Sequence, residues 1–252
     1  MRAFEFLDKF DTINASTMVI DKGLGSSYVE DMLEVCGNYF NFIKYGWGTS
    51  ILCDDKIVQK KNEIYQSYDI KAYTGGTLFE LANNQNKIDE YFDEVDRLGF
   101  TAIEISDGST VIPADDRDEL IRKAKDLGFY TLSEIGKKNP EKDHEYTTEN
   151  RIELIKNDIS SGSDMIIIEG RESGKNIGIY DDKGNVMMDD LKQIAESVDN
   201  RKIMWEAPNK NQQIDLILSL GNDVNIGNVN SADIISLETL RRGLRGDTLG
   251  KV

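Results

Sequence analysis

Residues 98–137 read LGFTAIEISDGSTVIPADDRDELIRKAKDLGFYTLSEIGK and contain the clearest indication of the fold. A short apolar run over 102–106 is followed by a helical pattern over 114–127 and by a second apolar run over 130–135. The tripeptide LGF precedes both apolar runs, at 98–100 and at 127–129. The repetition is consistent with two consecutive strand–helix units of one kind.

The same alternation extends along the rest of the chain. Strands are predicted over Thr17–Asp21, Phe42–Tyr45, Lys71–Tyr73, Ala102–Ser106, Tyr130–Ile135, Met165–Glu169, Ile203–Glu206 and Val224–Ile226. Helices are predicted between them, over 27–36, 54–67, 79–98, 114–127, 147–161, 188–198, 209–220 and 231–242. Eight such units favour an α/β protein, a single-domain (β/α)8 TIM-type barrel over residues 1–252. A doubly wound open sheet is the alternative.

The composition excludes several classes of function. The formal net charge of -16 would repel the phosphate backbone of a nucleic acid. No apolar run reaches the roughly 20 residues that a membrane span needs, and the charged first ten residues do not match a signal peptide. Two cysteines provide no disulfide framework. We therefore expect a cytoplasmic protein without a nucleic-acid or membrane partner.

Histidine chemistry is also disfavoured. The chain contains one histidine, His144, within the polar segment NPEKDHEY, which predicts a surface loop. A Ser-His-Asp triad, a Cys-His dyad or a His-rich zinc site would need that histidine in a pocket at a strand end. The chemistry is therefore expected from Lys, Arg, Asp and Glu, and oxygen ligands would favour a hard cation such as Mg2+.

Four consecutive predicted strands, the fourth to the seventh, each bring a glutamate to their carboxyl end: Glu104, Glu134, Glu169 and Glu206. In a (β/α)8 barrel these ends line the active site. Each glutamate sits in an otherwise apolar strand, where burial of an unpaired carboxylate costs several kcal/mol. The four are predicted to form a metal-binding cluster. The alternative is a structural ring of ion pairs with Lys22, Lys44 and Arg171.

Basic residues are expected at the same end of the barrel. Lys22 and Lys44 come from the first two strands, and Lys137, Arg171 and Lys175 come from the loops after strands five and six. Together they predict a locally positive pocket that admits an anionic substrate into an acidic protein. Cationic neighbours lower the pKa of a lysine, which suits it to proton transfer.

The sequence leaves alternatives open for two further groups of residues. In GWGTS and TGGT, glycines either let backbone N–H groups approach an anion or simply form tight turns: Gly46, Gly48, Gly75 and Gly76. Near the C-terminus, three arginines form an exposed helix face, a subunit contact or a phosphate site beside the last βα loop: Arg241, Arg242 and Arg245.

Eight segments together carry a family resemblance: VIDKGLG, FIKYGWGTS, YTGGTLFE, AIEISDGS, EIGKKNP, IIIEGRESGK, WEAPNKNQQ and SLETLRRGLRGDTLGKV. They resemble the phosphosulfolactate synthases of coenzyme M biosynthesis, over nearly the whole chain from Phe4 to Val252. The resemblance implies a (β/α)8-barrel lyase that joins sulfite to phosphoenolpyruvate with Mg2+. The implied product is (2R)-2-O-phospho-3-sulfolactate. It also implies a homo-oligomer, with a trimer the expected form.

The resemblance suggests roles for the candidate residues. Two or three of the four glutamates would hold Mg2+ against the substrate carboxylate, and Lys137 would protonate C2 as the general acid. Lys22, Lys44 and Arg171, with Lys175 and the four glycines, would hold the phosphate and sulfite groups. Two alternatives remain: a Schiff-base aldolase that uses Lys44, and a non-catalytic relative of the plant heat-stress type.

Overall fold

All eight predicted strands are present in the computed structural model, which describes residues 4, 6, 7 and 12–252. They are β1 (Thr17–Asp21), β2 (Phe42–Tyr45), β3 (Lys71–Thr74), β4 (Ala102–Ile105), β5 (Tyr130–Ile135), β6 (Met165–Ile168), β7 (Ile203–Glu206) and β8 (Ile226–Asn230). Seven begin at the predicted residue, and β8 begins two residues late because the chain is still turning at Val224. The prediction about the charged first ten residues concerns mainly residues 1–3, 5 and 8–11, which lie outside the described part.

The strands form one parallel sheet in the order β3-β2-β1-β8-β7-β6-β5-β4. Because β1 pairs with both β2 and β8, the first and last strands are neighbours and the sheet curls into a barrel. At the seam, the Thr101 N–H donates to the Ala72 carbonyl at 3.1 Å and joins β3 to the start of β4. The predicted (β/α)8 barrel is confirmed, and the open-sheet alternative is wrong.

Helices cover the outside of the barrel: α1 (Ser26–Cys36), α2 (Thr49–Leu52), α3 (Asp55–Gln66), α4 (Gly76–Asn84), α5 (Ile88–Arg97), α6 (Ala114–Asp126), α7 (Pro140–Asp143), α8 (Thr148–Ser161), α9 (Met188–Ser197), α10 (Lys210–Leu220) and α11 (Ile234–Arg241). The single helix predicted over 79–98 is wrong, since α4 and α5 replace it. Asn86 adopts a left-handed φ of 54°, and the Lys87 N–H returns to the Ala82 carbonyl at 2.9 Å, which ends α4. No helix in the described ranges is long and apolar enough to cross a membrane.

Alternation along the strands divides the core into two layers. Inside the barrel lies a compact apolar cluster: Met18, Phe42, Tyr73, Ala102, Leu132, Met165, Ile167 and Met204. The intervening strand residues, such as Val19, Ile43 and Ile103, pack outward against the helices. Because side chains alternate with a period of two, the next inward positions toward the carboxyl ends are Lys44, Glu104, Glu134, Glu169 and Glu206. The fold therefore places these five side chains in one layer above the apolar interior.

A buried ion pair holds the loop that follows β1. Asp21 is fully buried, and its Oδ1 accepts the N–H groups of Gly23 and Leu24 at 2.8 and 2.7 Å. Its Oδ2 pairs with the ammonium of Lys61 in α3, which also lies 4.4 Å from the ring centroid of Tyr45. Both charges are shielded from water, so each depends on the other for compensation.

We expect Lys61→Met to lower the free energy of unfolding by about 3 kcal/mol or more, because it leaves the buried Asp21 carboxylate unpaired. The adjacent Lys60 is exposed and pairs with Glu30 at 3.5 Å. Lys60→Met should therefore cost less than about 1 kcal/mol. Urea unfolding followed by circular dichroism measures both variants. Equal stabilities of the two variants would contradict this account of the ion pair.

Candidate active site

Lys44 lies at the centre of the carboxylate layer. Its Nζ is 2.9 Å from Glu104 Oε2, 3.2 Å from Glu134 Oε2 and 3.3 Å from Glu206 Oε1. Burial lowers the pKa of Lys44, but these three carboxylates outweigh it and raise the pKa well above its ordinary value. These contacts therefore favour the charged ammonium form of the side chain. A Schiff-base lysine must become a neutral amine, so this environment argues against the aldolase alternative.

Three of the four predicted glutamates form a group that could hold a metal ion. Glu134, Glu169 and Glu206 are buried, and each offers a carboxylate oxygen within 4.8 Å of the other two. Glu169 Oε1 accepts the Arg171 N–H at 2.8 Å, whereas its Oε2 has no hydrogen-bond partner. An unpartnered buried carboxylate oxygen is costly in a protein interior and is available as a ligand.

Burial and neighbouring charges shift the pKa values of these carboxylates in different directions. Burial, reinforced by Glu134 and Glu206, raises the pKa of Glu169 well above its ordinary value. The pKa of Glu134 is lowered, because the ammonium groups of Lys44 and Lys138 outweigh its burial. Burial raises the pKa of Glu104 to about 7, against the opposing effect of Lys44. A divalent cation among these groups would favour their ionised forms.

Glu104 lies at the edge of this group and is fixed by a glycine. Its Oε1 accepts the Gly76 N–H at 2.6 Å, at the first residue of α4. A Cβ on Gly76 would lie 2.4 Å from Ser106 Cβ and 2.6 Å from Glu104 Oε1, so this close approach requires glycine. The glycines were predicted to let backbone N–H groups approach an anion. For Gly76, that anion is the Glu104 carboxylate of the protein itself. Gly46, Gly75 and Gly76 line the cavity described next, and Gly48 immediately precedes α2, outside its lining.

A cavity of about 280 Å³ opens above the carboxylates. Lys44, Lys138 and Arg171 line it, and the Arg171 Nη1 donates to the Lys138 carbonyl at 2.6 Å. Lys22 lies at the rim, where its Nζ is 3.2 Å from Glu172 Oε1 and 4.9 Å from the centroid of the Trp47 ring, two residues that line the cavity. The lining thus combines acidic and basic groups.

Two predicted basic residues are not brought into this cavity. Lys175 is exposed on the loop after β6, outside the lining. The ammonium of Lys137 donates to Asp107 Oδ2 at 2.6 Å, to the Asp107 carbonyl at 2.8 Å and to the Thr110 carbonyl at 3.1 Å. Lys137 therefore faces the loop after β4 in this structure. Its role as the general acid stays a prediction.

Lys138 and Glu80 also belong to the site, although neither was predicted from the sequence. Lys138 Nζ donates to Thr77 Oγ1 at 2.9 Å and to Glu80 Oε1 at 3.3 Å, and lies 3.7 Å from Glu134 Oε1. Glu80 is buried on α4, where its Oε1 also accepts from Ser106 Oγ at 3.1 Å. A signal for Glu80 was present, because it interrupts the apolar run of TLFELA.

The C-terminal arginines and the histidine lie away from the cavity. Arg241 is buried, and its Nη1 donates to the Asn222 and Val224 carbonyls at 2.6 and 2.7 Å, just before β8 begins. Arg242 pairs with Glu238 at 2.6 Å, and Arg245 Nη1 donates to Ser236 Oγ at 2.6 Å. No arginine of this group is among the described residues that line the carboxylate cavity. His144 is exposed, as predicted.

The chain is similar to known proteins over nearly its whole length. The family model described as (2R)-phospho-3-sulfolactate synthase (ComA) matches residues 11–247. Phosphosulfolactate synthase from Methanocaldococcus jannaschii is 51% identical over the full length of both chains. The enzyme of that name from Methanothermobacter thermautotrophicus is 45% identical over 100% of this chain and 99% of its own.

Among solved structures, 3-hexulose-6-phosphate synthase from Salmonella typhimurium has a similar fold, with a TM-score of 0.54, 15% identity and 94% of each chain covered. At that identity the likeness supports the barrel fold alone. The family model and the full-length relatives carry the assignment of function. On that basis the chain belongs to the phosphosulfolactate synthase family, the lyases of coenzyme M biosynthesis.

Proposed function

We propose that the chain joins sulfite to C3 of phosphoenolpyruvate in a Mg2+-dependent step that gives (2R)-2-O-phospho-3-sulfolactate. The observation that carries the metal dependence is the convergence of Glu134, Glu169 and Glu206, whose oxygens lie within 4.8 Å of one another. All three ligands are carboxylates, the donors that Mg2+ prefers. The unpartnered Glu169 Oε2 supports the fit, because a bound cation would compensate it.

Addition of sulfite at C3 pushes negative charge through C2 onto the substrate carboxylate. A bound Mg2+ would supply positive charge at that carboxylate, the kind of electrostatic stabilisation that contributes most to many enzymes. Lys44 would keep Glu134 and Glu206 oriented, since it contacts both at 3.2 and 3.3 Å. It would also contribute a second fixed positive charge close to the site of charge development.

The basic residues around the cavity would hold the remaining anionic groups. Lys22, Lys44 and Arg171 are proposed to contact the phosphate and sulfite, together with the backbone at Gly46 and Gly75, which line the cavity. Lys137 is proposed to protonate C2 on one face. To do so, its ammonium must exchange one of its acceptors, Asp107 or Thr110, for the substrate.

We also infer that residues 1–252 act as one catalytic domain in a cytoplasmic homo-oligomer, with a trimer the expected form. Exposed apolar side chains on α2 support association, since Ile51 and Leu52 are 62% and 86% exposed beside the cavity residue Trp47. Clustered exposed apolar groups commonly mark contacts between proteins.

The reaction is tested directly with the purified protein. Incubation with phosphoenolpyruvate, sulfite and Mg2+ should produce the phosphorylated sulfonate, identified by mass spectrometry. Omission of either substrate, or removal of the metal with a chelator, should abolish the product. Product formation that is unchanged in the chelator would remove the metal from the proposal, and absence of product in the complete mixture would overturn it.

Glu169→Gln should weaken Mg2+ binding by at least about 10-fold, because loss of groups that only orient metal ligands already costs 10–100-fold. Isothermal titration with Mg2+ in the absence of substrates measures the effect without reference to turnover. Glu145→Gln is the matched control, since Glu145 is exposed and pairs with Lys142 at 3.0 Å outside the cavity. Unchanged affinity in the Glu169 variant would exclude it as a ligand.

Lys137→Ala should lower kcat roughly 10²–10⁴-fold, the usual range for the loss of an acid–base group, while the KM for phosphoenolpyruvate changes little. Steady-state kinetics on the folded variant measures both constants. A kcat close to that of the unmodified protein would remove Lys137 from the role of proton donor and leave it as an anchor of the loop after β4.

A further inference from the structure

The surroundings of Lys138 differ from those of Lys44 and Lys22. Lys44 is shared among three carboxylates, and Lys22 lies at the rim. Lys138 combines partial exposure, with 20% of its side chain accessible, with a fixed position in the wall of the cavity. Its ammonium is therefore reachable by a ligand inside the cavity and is already held in place.

The backbone of Lys138 is fixed on both sides. Its N–H donates to the Gly108 carbonyl at 2.8 Å, and its carbonyl accepts from Arg171 Nη1 at 2.6 Å. The aliphatic stem runs past Gly108, where an added Cβ would lie 3.1 Å from Lys138 Cε and 3.2 Å from Cγ. Glycine at position 108 thus leaves the room that the extended stem occupies.

Residues of α4 position the ammonium of Lys138. Glu80 Oε1 accepts from Lys138 at 3.3 Å, and Glu80 Oε2 accepts the Ser109 N–H at 2.7 Å. Thr77 Oγ1 accepts from the same ammonium at 2.9 Å, and both Thr77 and Ser109 are exposed residues that line the cavity. One cation and two hydroxyl groups therefore share one wall of the cavity.

From this arrangement we infer that Lys138, held by Glu80, binds the phosphate group of phosphoenolpyruvate, with the Thr77 and Ser109 hydroxyls as further donors. The inference rests on the proposed function, and it identifies a substrate contact for which the sequence offered no specific role. Glu80 is a positioning residue, since it acts on the substrate through Lys138.

The chemistry favours the phosphate over sulfite at this wall. The phosphate keeps its charge and its oxygens throughout the reaction, so several prearranged donors can bind it at every stage. Sulfite must use the lone pair of its sulfur to attack C3, and strong hydrogen bonds to a nucleophile reduce its reactivity. The position of Lys138 is also suitable. Its Nζ lies 3.7 Å from Oε1 of Glu134, one of the proposed ligands of the metal that would hold the substrate carboxylate. The phosphate is attached to C2, the substrate carbon next to that carboxylate.

The test is the binding of phosphoenolpyruvate without sulfite, where no turnover occurs. Lys138→Met should raise the dissociation constant of phosphoenolpyruvate, measured by titration calorimetry with Mg2+, roughly 10- to 100-fold, as expected for loss of a charged hydrogen bond. In steady-state kinetics, the KM for phosphoenolpyruvate should rise similarly, while the KM for sulfite stays within about 2-fold. Lys138→Arg, which keeps the charge, should recover part of the affinity, and Glu80→Gln should cause a smaller rise in the same KM.

Lys60→Met is the matched control. Lys60 lies on α3, is 54% exposed, pairs with Glu30 at 3.5 Å and is outside the cavity lining, so its substitution should leave both KM values unchanged. Thermal unfolding verifies that each variant is folded. Wild-type affinity for phosphoenolpyruvate in folded Lys138→Met, or a rise confined to the KM for sulfite, would overturn the inference. Failure of the proposed function would appear differently, as absence of the sulfonate product from the unmodified protein.

Discussion

The arrangement of the site depends on one interaction, the contact of the Lys44 ammonium with the carboxylates of Glu104, Glu134 and Glu206 at 2.9 to 3.3 Å. These groups lie in the interior of the barrel, directly above an apolar layer, where like charges without a cation would be strongly destabilising. Lys44 makes the cluster compatible with folding. The carboxylates can therefore be held close enough together to act as metal ligands, and the fourth glutamate, Glu169, retains an unpartnered oxygen among them.

The same constraint explains how an acidic protein admits an anionic substrate. The formal net charge is -16, yet the cavity places Lys44, Lys138 and Arg171 against the carboxylates. The positive charge of these residues is local and is held by short contacts, so it does not need a basic protein surface. The carboxylates of Glu134, Glu169 and Glu206 suit a cation, and the side of the cavity that contains Lys138 suits a phosphate. Opposite sides of one small cavity thus have complementary chemistry.

Much of the fold and the residue types of the site could be predicted, because both leave local signals. Strand and helix periods identified the eight units, and a glutamate in an apolar strand indicated a functional position. The boundary between α4 and α5 was missed although a local signal was present, because Asn83, Asn84 and Asn86 cluster there and asparagine is favoured in the left-handed conformation that ends a helix. The sequence could not distinguish Lys137 from Lys138. Adjacent side chains point in different directions, and their contacts with Asp107 and Glu80 come from other loops and helices.

The barrel, the family and most of the acidic and basic residues at the carboxyl ends of the strands could be recognised from the chain, because periodicity and continuous motifs express these properties locally. Which side chains meet followed from the folded arrangement. Lys44 and Glu206 are 162 positions apart in the chain, and their contact exists because the curled sheet brings β2 and β7 around one interior. The raised pKa of Glu169 and the position of Lys138 have the same origin, since electrostatic and hydrogen-bond energies depend on distances in space rather than on order in the chain.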